Sequence, residues 1–147
     1  MKKILALLSI SCIFCCQQVM AAEKFGCVNL TNIMNQYSYA KSVHAKIQSQ
    51  ENDIDKFVKN AQLKMRNAKS NEEAKQIEET SKKELATKIE NLKKYSDSEL
   101  QKIQTNINEA VKQVGKAQGY SLILTDSSAI YGATDVSVEV INQLNKK

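Results

Sequence analysis

Apolar positions fall into four patterns along this chain. Residues 4–14 form a nearly continuous apolar run behind Met1, Lys2 and Lys3. Residues 25–30, Phe-Gly-Cys-Val-Asn-Leu, make a short strand-like run. From Ile33 to Val114 apolar residues are sparse and follow helical spacing. Beyond that they become dense again. Tyr120 to Thr125 predicts a second strand, Asp126-Ser127-Ser128 a turn, and Ala129-Ile130-Tyr131 a third short strand. Thr134 or Asp135 then caps a terminal helix whose apolar face is Val136, Val140, Ile141 and Leu144.

The sparse stretch predicts two helices. The first is capped by Thr31 or Asn32 and carries Ile33, Met34, Tyr37, Ala40, Val43, Phe57 and Met65. Within it Ile47, Ile54, Ala61 and Ala68 stand seven apart, one seam of a coiled coil. The seam lapses at residues 69–73, Lys-Ser-Asn-Glu-Glu, where Ser70 or Asn71 followed by acids suits a helix start. A reversal there makes an antiparallel hairpin; the alternative is one continuous helix. The return helix holds Ala74, Ile77, Leu85, Ile89, Leu92, Leu100, Ile103, Ile107, Ala110, Val111, Val114 and Ala117. Leu92, Ser96, Leu100 and Ile103 make an eleven-residue step, which relaxes left-handed supercoiling. The seam is richest near Val114 and poorest near the reversal, so the hairpin is expected to pack firmly at its base and loosely at its tip.

Punctuation supports this division. No glycine lies between Cys27 and Val114, and the chain has no proline. Turns and helix ends use those residues, so their absence implies long uninterrupted helix. Gly115 and Gly119 are expected to end the return helix. Residues 35–69 alone reach about 50 Å as a helix. The fold class is therefore α+β: a helical hairpin arm, residues 35–114, projecting from a small β-body made of residues 23–34 and 115–147. The ordered parts of that body fall below the ~40 residues at which a domain usually needs disulfides, a metal or oligomerisation.

Composition narrows these options. The basic start, apolar run and small residues around Met20-Ala21-Ala22 read as a cleaved secretory signal over residues 1–22. The run is too short for a membrane span, and Ser9-Ile10-Ser11 before Cys12 makes a poor lipidation signal. Three of the four cysteines lie in that segment, which leaves Cys27 without an intrachain partner. Cys27 reads as a small buried hydrophobe. His44 is the sole histidine, and it has no ligand spacing to Cys27, so no metal or cofactor is expected. Oligomerisation remains. Phe25, Val28, Leu30, Leu122, Ile123 and Leu124, on the body strands, are its candidate residues.

The net charge is +5, with lysines and acids interleaved along the arm rather than clustered. That argues against nucleic acid and for a mild positive field toward acidic chains or anionic surfaces. Lys56, Lys59, Lys82, Lys83, Lys93 and Lys94 are the candidate attracting residues. No nucleophile with a base, carboxylate pair or phosphate loop is apparent, and turn chemistry explains Asp126 with Ser127. The chain reads as a binding protein rather than an enzyme.

The order of these segments resembles the Skp/OmpH family of periplasmic chaperones across residues 23–147. The specific part is the strand closing on Asp126, then Tyr131, then Asp135 opening the last amphipathic helix. The resemblance implies a homotrimer with a central β-body and three hairpins enclosing a cavity. It implies an ATP-independent holdase for unfolded outer-membrane β-barrel proteins in the periplasm of a Gram-negative bacterium, with contact to anionic lipid or lipopolysaccharide. The residues alone also allow a periplasmic coiled-coil adaptor for a folded partner, or a factor acting on anionic envelope lipid.

Overall fold

A computed structural model describes residues 23–129 and 131–146. The secretory signal expected over residues 1–22 lies outside them, as does Ile130. The order is strand β1 (Phe25–Val28), helices α1 (Leu30–Gln36), α2 (Ser38–Arg66) and α3 (Asn71–Gln118), strand β2 (Leu122–Thr125), a 3₁₀ turn (Asp126–Ser128), strand β3 (Thr134–Asp135) and helix α4 (Ser137–Asn145). The fold is α+β, a long antiparallel helical hairpin standing on a small sheet built from both ends of the chain.

The hairpin reverses where its capping chemistry places it. Ser70 adopts an extended backbone, and its hydroxyl accepts from the Glu73 amide at 3.1 Å. The Glu73 carboxylate in turn accepts from the Lys69 amide at 2.8 Å, a reciprocal cap that satisfies two free helix donors. Glu72 and Glu73 in the first turn complement the helix dipole. At 29 and 48 residues, α2 and α3 rise about 43 Å and 72 Å. Gly119 closes α3 in the left-handed conformation at φ 71°, which a side chain would strain. Gly115 does not end the helix; it is buried within it.

The sheet is parallel throughout, in the order β2-β1-β3. The hairpin is thus the crossover between β1 and β2, the connection parallel strands require. Phe25 pairs with Leu122, Gly26 with Ile123, Cys27 with Leu124 and Val28 with Thr125. Gly26 is where β1 comes closest to its neighbours. A Cβ there would lie 3.2 Å from both Ile123 Cγ1 and the Tyr120 ring, so only glycine fits without displacement.

Four expectations are corrected. The third strand is Thr134–Asp135; of the segment expected to form it, Ala129 and Tyr131 are not in a strand and Ile130 lies outside the described residues. The first helix starts at Leu30 under Asn29, whose side chain accepts from the Asn32 amide at 2.7 Å, so neither Thr31 nor Asn32 is the cap. Leu30 is consequently helical rather than part of a strand. The cap position of α4 is Val136, although Asp135 still accepts from the Ser137 amide at 2.8 Å. The extended backbone of Tyr37 also divides α1 from α2.

The core lies at the base. Val28, Ile33, Val43, Ile103, Val114 and Val140 belong to one buried cluster that joins both ends of the chain to the root of the hairpin. Beyond Val43 on α2 only Ala61 is buried, and α3 has no buried residue between its start and Glu99. Ile47 and Ile54 are half-buried along the seam, as their spacing predicts, whereas Ala68, expected on the same seam, lies beyond the end of α2. Ile89 and Leu100 are not; they are 52% and 50% exposed. Half-buried or buried positions on α3 recur every eleven residues, as at Ile77, Lys88, Glu99 and Ala110. That period turns Lys88 and Glu99 inward and swings the next residue of each pair about 100° outward.

Candidate functional site

The sheet has two unlike faces. Gly26 and Val28 are buried, and Ile123 packs against the core. Their neighbours alternate outward. Phe25 and Leu122 are paired across the strands, as are Cys27 and Leu124. Exposure is 42% for Phe25, 46% for Leu122 and 38% for Leu124. The outer face of the sheet is therefore an uncovered apolar patch. Of the candidate oligomerisation residues, Phe25, Leu122 and Leu124 lie on this patch, while Val28 is buried beneath it and Ile123 faces inward. Leu30 stands apart on α1, where it lines a shallow groove of about 310 Å³ with Met34, Leu100 and Ile107. Cys27 is half-buried rather than buried, and shares the outer face. Alternation along Phe25-Gly26-Cys27-Val28 is the sequence signal that could have placed it there.

The six candidate lysines divide equally. Lys56 pairs with Asp53 at 3.5 Å, Lys82 with Glu78 at 2.6 Å and Lys94 with Glu90 at 2.7 Å. The hydrogen bond within the Lys82–Glu78 pair raises the ammonium and lowers the carboxyl relative to their ordinary values. Such exposed pairs along a helix contribute little stability. Lys59, Lys83 and Lys93 carry no ion pair among the described residues, which leaves their charge free toward solvent.

Nearer the tip, Phe57, Ala61, Met65 and Leu85 line an open apolar groove of about 200 Å³ between the two helices. With Leu63, Ile89 and Leu100 exposed, the arm offers many small apolar contacts. His44, on α2, is exposed.

At the neck of the arm stands a group that hydrophobic spacing alone did not pick out. Glu99 is 7% exposed. One carboxylate oxygen accepts from the Tyr39 hydroxyl and the other from Lys102 Nζ at 2.8 Å. Lys102 first, and then Tyr39, hold its carboxyl below the ordinary range. The same contacts raise the Lys102 ammonium and the Tyr39 phenol. A carboxyl whose folded pKa is depressed contributes stability above its unfolded pKa and loses it as pH falls through the folded value. The melting temperature is therefore expected to decline as pH drops below about 4.3, the ordinary glutamate value. Circular-dichroism melts across that range check it: Glu99→Gln is expected to flatten part of the decline.

No helix among the described residues is long and apolar enough to cross a membrane. The chain is 27% identical over 146 aligned positions to the chaperone protein Skp of Pectobacterium atrosepticum, covering 86% of this chain and 88% of that protein. A crystal structure of an OmpH-like protein from Caulobacter crescentus CB15 aligns with 86% of each chain, at 13% identity and a TM-score of 0.41. The family model for outer membrane proteins of the OmpH-like type matches residues 24–144, from the root of the first strand to the end of the apolar face of α4. That match takes in the sheet, the whole hairpin and the closing helix, and the chain belongs to the OmpH-like family.

Proposed function

We propose that this protein is an ATP-independent holdase of the bacterial periplasm that shields unfolded outer-membrane β-barrel chains from aggregation. The observation that carries this reading is the arm itself: long helices whose outer two-thirds bury almost nothing, with half-exposed apolar side chains between free lysines. Such a surface suits many weak contacts to an extended chain, and contacts of that kind block unpaired strand edges from pairing with one another. Family membership and the likeness to a chaperone protein support a chaperone role. The basic start and apolar run of residues 1–22 support export.

The apolar outer sheet face supports assembly. Phe25, Leu122 and Leu124 would be covered by other copies of the chain, and three copies would set three arms around one cavity. Free positive charge on Lys59, Lys83 and Lys93 would draw acidic segments toward it.

The deciding experiment is native mass spectrometry of the processed protein mixed with a β-barrel protein diluted from urea. A trimer that gains one intact client is the expected result. A monomer or dimer that ignores the client, but binds a folded partner or acidic vesicles, would overturn the reading. A second expectation concerns charge. Suppression of client aggregation should weaken several-fold between about 0.1 M salt, where the Debye length is ~10 Å, and about 1 M, where it is ~3 Å. Replacing Lys59, Lys83 and Lys93 together by glutamate should produce a similar loss at low salt. Light scattering that is indifferent to both changes removes the electrostatic part of the proposal.

A further inference from the structure

The two helices of the arm carry seams of different period. On α2, Ile47, Ile54 and Ala61 recur every seven residues. On α3, the inward positions Ile77, Lys88, Glu99 and Ala110 recur every eleven. A seven-residue repeat and an eleven-residue repeat drift in opposite senses around a helix, so neither seam dictates the alignment of the other. The contacts beyond the base are also shallow. Gln50 Oε1 is buried there without a hydrogen-bond partner. Shallow packing of this kind, with Lys88 Nζ 5.2 Å from the centre of the Phe57 ring as the polar contact across the outer arm, leaves axial slip of one helix along the other weakly opposed.

At the neck the chemistry changes. Three polar contacts cross between the helices within a short length. The Tyr37 hydroxyl accepts from Asn106 Nδ2 at 3.0 Å, the Tyr39 hydroxyl donates to Glu99, and Lys46 Nζ lies 4.7 Å from the centre of the Tyr95 ring. Lys102 completes the set by neutralising Glu99 from its own helix. A slip of one turn, about 5.4 Å, would break all three and leave the carboxylate against apolar side chains without a donor from α2.

Stability alone does not account for a buried charge here. Replacing such groups with well-packed apolar residues is often neutral or stabilising. An apolar residue is also at hand in the next position, Leu100, yet it faces solvent. The best-attested use of a lone polar group in a helical seam is to select one register over its neighbours.

We propose that Tyr39, Glu99 and Lys102 form a register lock, which fixes the axial alignment of α2 and α3 and so holds the tip at one position. The role is independent of what the arm binds.

The test is a distance measurement far from the lock. Asn60 and Glu84 line the same groove near the tip from opposite helices, and both are exposed. Spin labels at these positions, in protein with its four cysteines replaced by serine, are expected to give one narrow distance distribution. Glu99→Leu is expected to keep or raise the melting temperature while adding a second distance population, as one helix slips by about one turn along the other. Tyr39→Phe, which removes the donor on α2 and keeps the Lys102 pair, is expected to broaden the distribution in the same sense. Glu99→Gln retains acceptor and shape and is expected to keep the single distance. A single unchanged distance in Glu99→Leu, whatever its melting temperature, overturns the proposal. If Glu99→Leu does not fold, a single unchanged distance in Tyr39→Phe does so.

Discussion

Replacing Ile33 by alanine is expected to destabilise the protein by about 3–5 kcal/mol, toward the upper end of the range for burying a large aliphatic side chain and then leaving a cavity. Ile33 has no exposed surface and sits on α1 within the cluster that joins the sheet, α4 and the root of the hairpin. The total stability of an ordinary domain is about 5–15 kcal/mol, so this single change removes a large share. Ile89→Ala, by contrast, alters a residue that is 52% exposed midway along the arm. Its effect is expected to stay within about 0.5 kcal/mol. Urea titrations followed by circular dichroism separate the two. Equal losses would mean that the arm seam, rather than the base, holds the fold together, and the division into a firm root and a loose arm would fail.

That division was already visible in the sequence, for a definite reason. A helix over some 90 residues needs no tertiary information to be recognised when glycine and proline are missing from it. Ser70 with Glu73 marks the reversal through a local hydrogen-bond pattern that any chain would use. Membership of the sheet was harder. Thr134 and Asp135 pair with β1 only because a long crossover and a 3₁₀ turn bring them there, and two residues carry no alternation to read. Leu30 looked like the end of a strand because it follows five strand-like positions; the Asn29 side chain, bonding to the Asn32 amide, turns it into helix. Ile89 and Leu100 were assigned inward because apolar residues usually are. The eleven-residue period favours Lys88 and Glu99 instead, and a buried carboxylate becomes tolerable only once Tyr39, 60 positions away, supplies a hydrogen.

The free and paired lysines show the same limit in another form. Sequence spacing puts an acid three or four residues before all six, with Asp55 before Lys59, Glu79 before Lys83 and Glu90 before Lys93, yet of the six only Lys56, Lys82 and Lys94 form the pair. Spacing therefore could not have narrowed six candidates to three, although a lysine already neutralised by its neighbour contributes less to a field acting at a distance.

Introducing aspartate at both Leu122 and Leu124 is expected to take the proposed trimer apart while leaving each protomer folded. Both side chains stand on the outer face of the sheet, 46% and 38% exposed, so neither belongs to the protomer core. Their strand partners Phe25 and Cys27 hold the same face, which makes one apolar surface rather than scattered residues. Covering the exposed remainder of a leucine already more than half covered is worth about 0.6–1.4 kcal/mol, and two per interface amount to a roughly ten- to hundredfold change in association. Buried carboxylates without partners add to that cost. Sedimentation velocity should then report a single chain with unaltered far-ultraviolet circular dichroism, and suppression of client aggregation should fall with it, because lone arms enclose nothing. Leu63→Asp serves as the control. It adds one aspartate of the same kind at a position 53% exposed near the tip of the arm, and assembly should be unchanged. An intact trimer carrying both aspartates would place the contact elsewhere, with the groove formed by Leu30, Met34 and Leu100 as the next apolar surface to open to charge. A double variant that is monomeric yet still protects its client would separate assembly from holding, and a single arm would then be the functional unit.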